Sequence, residues 1–383
     1  MSVQALSLLL LAALSASDQE GLSVPGGGNG GSTSGKPGGP SGPLDPADEA
    51  RFQRGRALFE RDFHRSSGLG SPEMNADSCR ACHRDPVVGG AGALELNVSR
   101  FGRDRGGTFF QDLPGGQGLS KLRPPWVAGR EEHGAEADVF EQRQTPSILG
   151  GGLIERIALD AILAHEDPLD RDGDGIRGVA QRVAVGLGTE IGRFGWKAQV
   201  PRLADFVRDA LGGELGLTTS DDGRGFALAL DGDDRPDPEI APEAVADMAF
   251  FLTHLPAPQR TGSLEPEVLL GELVFERVGC VKCHVPELRG ASGPVPLYSD
   301  LLLHDVWPES FRGMSEPGAG PGVYRTPPLW GIRTTAPYLH DGRASGLRAA
   351  ILLHDGEARG VRKAFETLPI AEKSALIAFL NDL

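Results

Sequence analysis

The chain has 383 residues, 39% of them hydrophobic, which is enough material for two domains with cores of their own. Its formal charge of −15 speaks against nucleic acid and anionic membrane surfaces as partners. With 54 Gly and 29 Pro, more than a fifth of the sequence favours turns and loops.

The chain opens on an apolar run, Ala5 to Leu14, followed by small residues suited to cleavage. Residues 1–17 therefore resemble a secretory signal peptide, although no Lys or Arg precedes the run. The run is too short to cross a bilayer, so no transmembrane span is expected. No cysteine follows it, so a lipid-anchored form is not expected either. The predicted location is periplasmic or secreted. Residues 18–45 are rich in Gly, Ser and Pro and read as a flexible linker.

All four cysteines fall in one pattern. Cys79-Arg80-Ala81-Cys82-His83 and Cys280-Val281-Lys282-Cys283-His284 are both C-x-x-C-H. A disulfide framework or a four-cysteine zinc site leaves the His after each pair unexplained, and a redox dithiol would be single. Covalent haem attachment explains every member: two thiols add to the two vinyl groups of one porphyrin, and the adjacent imidazole reaches the iron. The sequence thus predicts two covalently bound haem c groups, with His83 and His284 as proximal ligands. Such attachment normally takes place outside the cytoplasm, in agreement with the N-terminal segment.

Four landmarks recur in the same order. G-x-x-x-F occurs at Gly55–Phe59 and Gly271–Phe275, each in a helix announced by Asp45-Pro46 or Glu265-Pro266. C-x-x-C-H follows, after 24 residues in the first copy and nine in the second, so an insertion precedes the first haem motif. T-P-x-[IL]-x-G comes next, at Thr145–Gly150 and Thr326–Gly331. F-L-x-x-L closes each copy, in a helix ending at Leu255 or Leu383. The predicted fold is mainly α: two cytochrome c-like haem domains with long loops, residues 46–257 (with the insertion) and 264–383. No run of alternating strands stands out.

An iron with two protein ligands transfers electrons, and one with an open sixth position binds peroxide or oxygen. Candidate distal groups for the second haem are His304, Met314, His340 and His354; for the first they are His133, His165, Met248 and His254. Separately, Asp170, Asp172 and Asp174 in D-x-D-G-D-G form a candidate calcium loop. Gln181 stands where an EF-hand would have its closing Glu.

The segments Tyr298–Asp305, Arg325-Thr-Pro-Pro-Leu-Trp-Gly331, Thr335-Ala-Pro-Tyr-Leu-His-Asp-Gly-Arg343 and Ala350-Ile-Leu-Leu-His-Asp-Gly-Glu357 resemble the di-haem oxidoreductases related to bacterial di-haem cytochrome c peroxidases. The similarity is greatest to the branch named "putative thiol oxidoreductases". In those peroxidases the His of T-x-P-Y-x-H-D-G is followed fourteen residues later by a distal Met. The matching residue here is His354, so the resemblance implies His284 and His354 on the second iron. The distal His sixteen residues after the first proximal one is replaced by Ser99, which implies an open first iron. By the pattern of a tryptophylquinone-forming relative, Glu155 is the acid on the distal side, able to move a proton between the two peroxide oxygens. The peroxidase calcium site would draw on the backbone of Thr335 and Pro337.

The expected function is a peroxidase-like di-haem oxidoreductase. Hydrogen peroxide is its expected substrate and a small redox protein its electron donor or acceptor, with electrons passing through the C-terminal haem to the N-terminal one. The alternatives are a non-catalytic di-haem electron carrier and an oxidase acting on a protein. No cysteine is left over for thiol oxidation.

Overall fold

The computed structural model describes residues 38–383 apart from 71–74, 104–117, 120–135 and 221–226. The signal segment 1–17, residues 18–37 of the linker and His133 lie outside the described residues. The end of the linker is not free, which corrects the expectation for that stretch. Ser41 N donates to His254 O at 2.8 Å, and Arg56 Nη1 donates to Gly38 O at 3.1 Å.

Helix dominates, at 37% against 15% strand, as the mainly α expectation requires. Helix α1 (Pro46–Glu60) starts where Asp45 accepts the amides of Ala47 and Asp48, with Pro46 supplying a preset φ at the first position. A one-turn helix α2 (Cys79–Cys82) carries the first thiol pair. Strands β1 (Val98–Gly102), β2 (Gly118–Leu119) and β3 (Val139–Arg143) form an antiparallel sheet in the order β2-β1-β3. Short helices α3 (Gly151–Glu155) and α4 (Leu159–Leu163) precede the hairpin of β4 (Arg182–Val185) and β5 (Gly188–Ile191). Helices α5 (Leu203–Ala210) and α6 (Pro242–Thr253) complete the first half.

The second half opens with α7 (Pro266–Val278), stopped by Gly279 in the left-handed region at φ 95°. Two small hairpins follow, β6 (Leu288–Gly290) with β7 (Gly293–Val295) and β8 (Leu303–Asp305) with β9 (Val323–Arg325). Helices α8 (Leu347–Leu353), α9 (Arg359–Thr367) and α10 (Ile370–Asp382) end the chain.

The repeated landmarks acquire a common geometry. In each half the first helix crosses the last at the Gly of G-x-x-x-F. A Cβ on Gly55 would lie 2.8 Å from Phe251 Cβ and inside the radius of the Asp247 carbonyl oxygen. One on Gly271 would lie 2.7 Å from Phe379 Cβ and inside that of Ala375. One turn on, Phe59 meets Phe251 at 5.4 Å between ring centres, and Phe275 meets Phe379 at 5.3 Å. Two buried clusters form around these crossings. The first also takes in Leu288, Val295, Leu297, Leu301, Leu302 and Trp330. The boundary drawn between 257 and 264 is therefore not a packing boundary.

Candidate haem sites

Both C-x-x-C-H motifs border one continuous, mostly apolar cavity of about 2550 Å³, part of it open to solvent. At the first, His83 sits just after α2, and its amide reaches back to Cys79 O at 3.0 Å. Its Nδ1 lies 3.2 Å from Gly90 O, a hydrogen bond that fixes the ring and leaves Nε2 toward the cavity. Burial holds its pKa below the usual histidine value, keeping the imidazole neutral as a ligand must be. Phe59, Ile154, Leu203, Phe206, Val207 and Met248 line this end.

At the second, His284 Nδ1 lies 3.0 Å from Tyr298 O. His354 ends α8 with its Nδ1 2.8 Å from Ala350 O, one turn back. Capping α8 and presenting Nε2 to the cavity are thus compatible roles. Burial pushes His284 down to about 4, and the nearness of His354 adds to that effect. Both imidazoles border the cavity.

His340 also borders the cavity, its Nε2 buried without a hydrogen-bond partner and its pKa pushed down to about 3 by burial, while the remaining candidate ligands stand elsewhere or are occupied. His304 has Nε2 on Asp300 Oδ2 at 2.9 Å and Nδ1 on Glu357 Oε2 at 3.0 Å, beside Cys283 Sγ at 3.6 Å. Burial alone would lower its pKa; its bonds to Asp300, Cys283 and Glu357 raise it well above the ordinary value instead. Once Cys283 is a thioether, the two carboxylates remain as its partners. Met314, His165 and His254 do not border the cavity. Met248 does, but it occupies in α6 the place of Leu376 in α10, three residues before the F-L pair, which is a packing position.

Glu155 requires a correction. It is absent from the cavity wall, where its neighbour Ile154 stands. Its Oε1 accepts the Leu203 amide at 2.9 Å at the start of α5, and it borders a separate polar cleft with Glu190, Arg193 and Arg202. Successive helical residues point about 100° apart, so one position decides which side is reached. Glu155→Ala should cost about 1 kcal/mol through the lost helix cap and leave peroxide-induced spectral changes intact. Stopped-flow absorption with a denaturant titration checks both.

Asp170, Asp172 and Asp174 do converge, their oxygens within 4.8 Å of one another. The loop satisfies them internally. Gly175 N donates to Asp170, Asp174 N to Asp172 and Ile176 N to Asp174, while Lys282 Nζ takes Asp174 Oδ2 at 3.0 Å. Thr335 and Pro337 border the haem cavity instead.

A family model described as "Di-haem oxidoreductase, putative peroxidase" matches residues 135–383. The chain belongs to this di-haem oxidoreductase family. No curated protein matches it. Among solved structures it is similar to a MauG-like protein associated with microbial copper homeostasis (17% identity, 91% of this chain and 93% of that one, TM-score 0.45). It is also similar to the diheme peroxidase BthA of Burkholderia thailandensis (18%, 88% and 86%, 0.43). A third similarity is to hydrazine synthase of Kuenenia stuttgartiensis (16%, 91% and 95%, 0.41).

Membership of the di-haem oxidoreductases implies two haems, and the residues fit them: an apolar cavity, thiols beside it, and three imidazoles with Nδ1 held on a carbonyl. The wall also contains Gln144 and Trp196, which no sequence motif marks, and Arg325 and Trp330 from the segment that carries the family resemblance. Trp330 belongs to the second half of the chain but packs in the first core cluster. Among the described residues no helix is long and apolar enough to cross a membrane.

Proposed function

We propose that this di-haem oxidoreductase carries one haem c on Cys79, Cys82 and His83 and a second on Cys280 and Cys283, ligated by His284 and His354. It acts outside the cytoplasm as a peroxidase-like enzyme. Bound at these residues, the two haems would supply the one-electron chemistry for reducing hydrogen peroxide at the N-terminal site, with a small redox protein exchanging electrons at the C-terminal site. The observation that carries this reading is an asymmetry, the pairing of His284 with His354, whose charge is felt by His284, while His83 beside the first thiol pair has no such partner ring among the described residues; His304 and His340 also border the cavity.

Bound haem supplies a one-electron centre and, where its sixth position is open, a place for peroxide. The protein supplies the rest. Gly90 O, Tyr298 O and Ala350 O each fix a ring orientation and leave one nitrogen free. On α5, Leu203, Phe206, Val207 and Ala210 border the N-terminal end with side chains that cannot ligate iron and that exclude bulk water. Trp330 places an aromatic ring between the two halves. No Asp or Glu borders the cavity among the described residues, so proton delivery there falls to water or neutral donors such as Gln144. The Asp170–Asp174 loop is already bonded within the protein, and the reading does not draw on a cation.

Electron paramagnetic resonance of the oxidised, haem-loaded protein tests the asymmetry. One low-spin and one high-spin ferric signal are expected. Two low-spin signals would instead make the chain an electron carrier.

A further inference from the structure

Arg325 stands in β9, directly before the Thr326-Pro327 landmark, and borders the cavity. It joins the two halves: its amide donates to Trp196 O at 2.8 Å and its Nε to Gly195 O at 3.1 Å, both from the first half. Nη1 makes a long bond of 3.3 Å to Thr326 O. A guanidinium has five donors, so Nη2 and part of Nη1 remain for another partner.

No carboxylate pairs with it among the described residues. Arg100 and Arg143 share Glu316, and Arg362, the second guanidinium on the cavity wall, holds Asp355 and Glu366, whereas Arg193, away from the cavity, is held on the carbonyls of Ile154, Glu155 and Ile157. The nearest charge felt by Arg325 is Asp300, already engaged by His304 Nε2 and Leu302 N. Burial pulls Arg325 down to about 10, still charged at neutral pH. An enclosed cation without a counter-ion is unfavourable, and a cavity wall free of Asp and Glu offers it none. The missing partner must arrive with whatever fills the cavity.

We infer that Arg325 anchors a haem propionate where the two halves meet. The planar fork matches a carboxylate, Gly195 and Thr326 carbonyls aim it, and the bond ties the seating of a haem to the contact between the halves. This rests on the assignment of haem to the cavity. A free small carboxylate would offer the same chemistry, and the experiment separates the two.

Haem-loaded wild type and Arg325→Gln are compared by spectroelectrochemical titration. Removing a cation beside a propionate disfavours the reduced, more negative haem. The potential of one haem should fall by about 59 mV, a tenfold change in its reduction equilibrium, with or without added acetate. Unchanged potentials for both haems overturn the inference, and so does a wild-type potential that shifts on adding or removing acetate. If Arg325→Gln does not mature, Arg325→Lys keeps the charge but loses the fork. Its resonance Raman propionate bending bands should then move, and unmoved bands overturn the inference. A colourless wild type would refute the haem assignment instead.

Discussion

Replacing His354 by Met should raise the reduction potential of the C-terminal centre by on the order of 0.1 V, a fraction of the span of about 0.8 V that axial ligands command. The argument starts from the ring itself. His354 closes α8 with its Nδ1 on Ala350 O, so the helix holds one nitrogen and Nε2 is left for the cavity that Cys280, Cys283 and His284 also border. A neutral imidazole donates more strongly to iron than a thioether, and the exchange favours the reduced state. An unbranched Met keeps the reach needed to ligate. The centre should therefore stay low-spin in His354→Met and turn high-spin in His354→Ala. If His354 only capped α8, both variants would lose about 1 kcal/mol of stability and neither would change potential or spin state. Spectroelectrochemistry and magnetic circular dichroism on the two variants decide between these outcomes.

Gly271→Val should abolish folding of the C-terminal half, with a loss above about 4 kcal/mol out of a total of roughly 5–15. The position is the crossing of α7 and α10. A side chain there meets the backbone of Ala375 and the Cβ of Phe379, neither of which can swing aside. Relief requires the helices to separate, which pulls Phe275 from Phe379 and loosens the core that holds His284. Even Gly271→Ala should cost several kcal/mol. Denaturant titration measures the loss, and a Gly271→Ala protein melting within a few degrees of wild type would contradict the crossing. Leu273, exposed on the same helix, is the control position.

What the sequence revealed is what short-range rules encode. C-x-x-C-H is local, and the helices with Asp45-Pro46 or Pro266 at their starts carry their own signals. G-x-x-x-F and F-L-x-x-L were legible because two copies could be compared. The failures are long-range. Strand β3 buries Val139, Glu141 and Arg143 and exposes Phe140 and Gln142, so its alternation runs against hydrophobicity. Glu141 and Arg143 tolerate burial because they bond each other and because Met314 N and Tyr324 Oη reach Glu141 from far along the chain. Glu155 was placed by a family pattern that is one residue out of step with the turn that aims the side chain. Arg325 opens a segment that resembles the family, yet its role was not legible, because that role comes from an absent counter-charge in the folded chain.

The shared core has a mechanical consequence. Leu297, Leu301, Leu302 and Trp330 are embedded in the cluster built by the other half, and Lys197 grips the carbonyls of Gly320 and Val323 at 2.8 Å across the same join. Because the described residues of the two halves share this core, the two irons that we propose would be held at a spacing set when the chain folds. Tunnelling between them would then be governed by a distance that neither substrate nor partner can adjust.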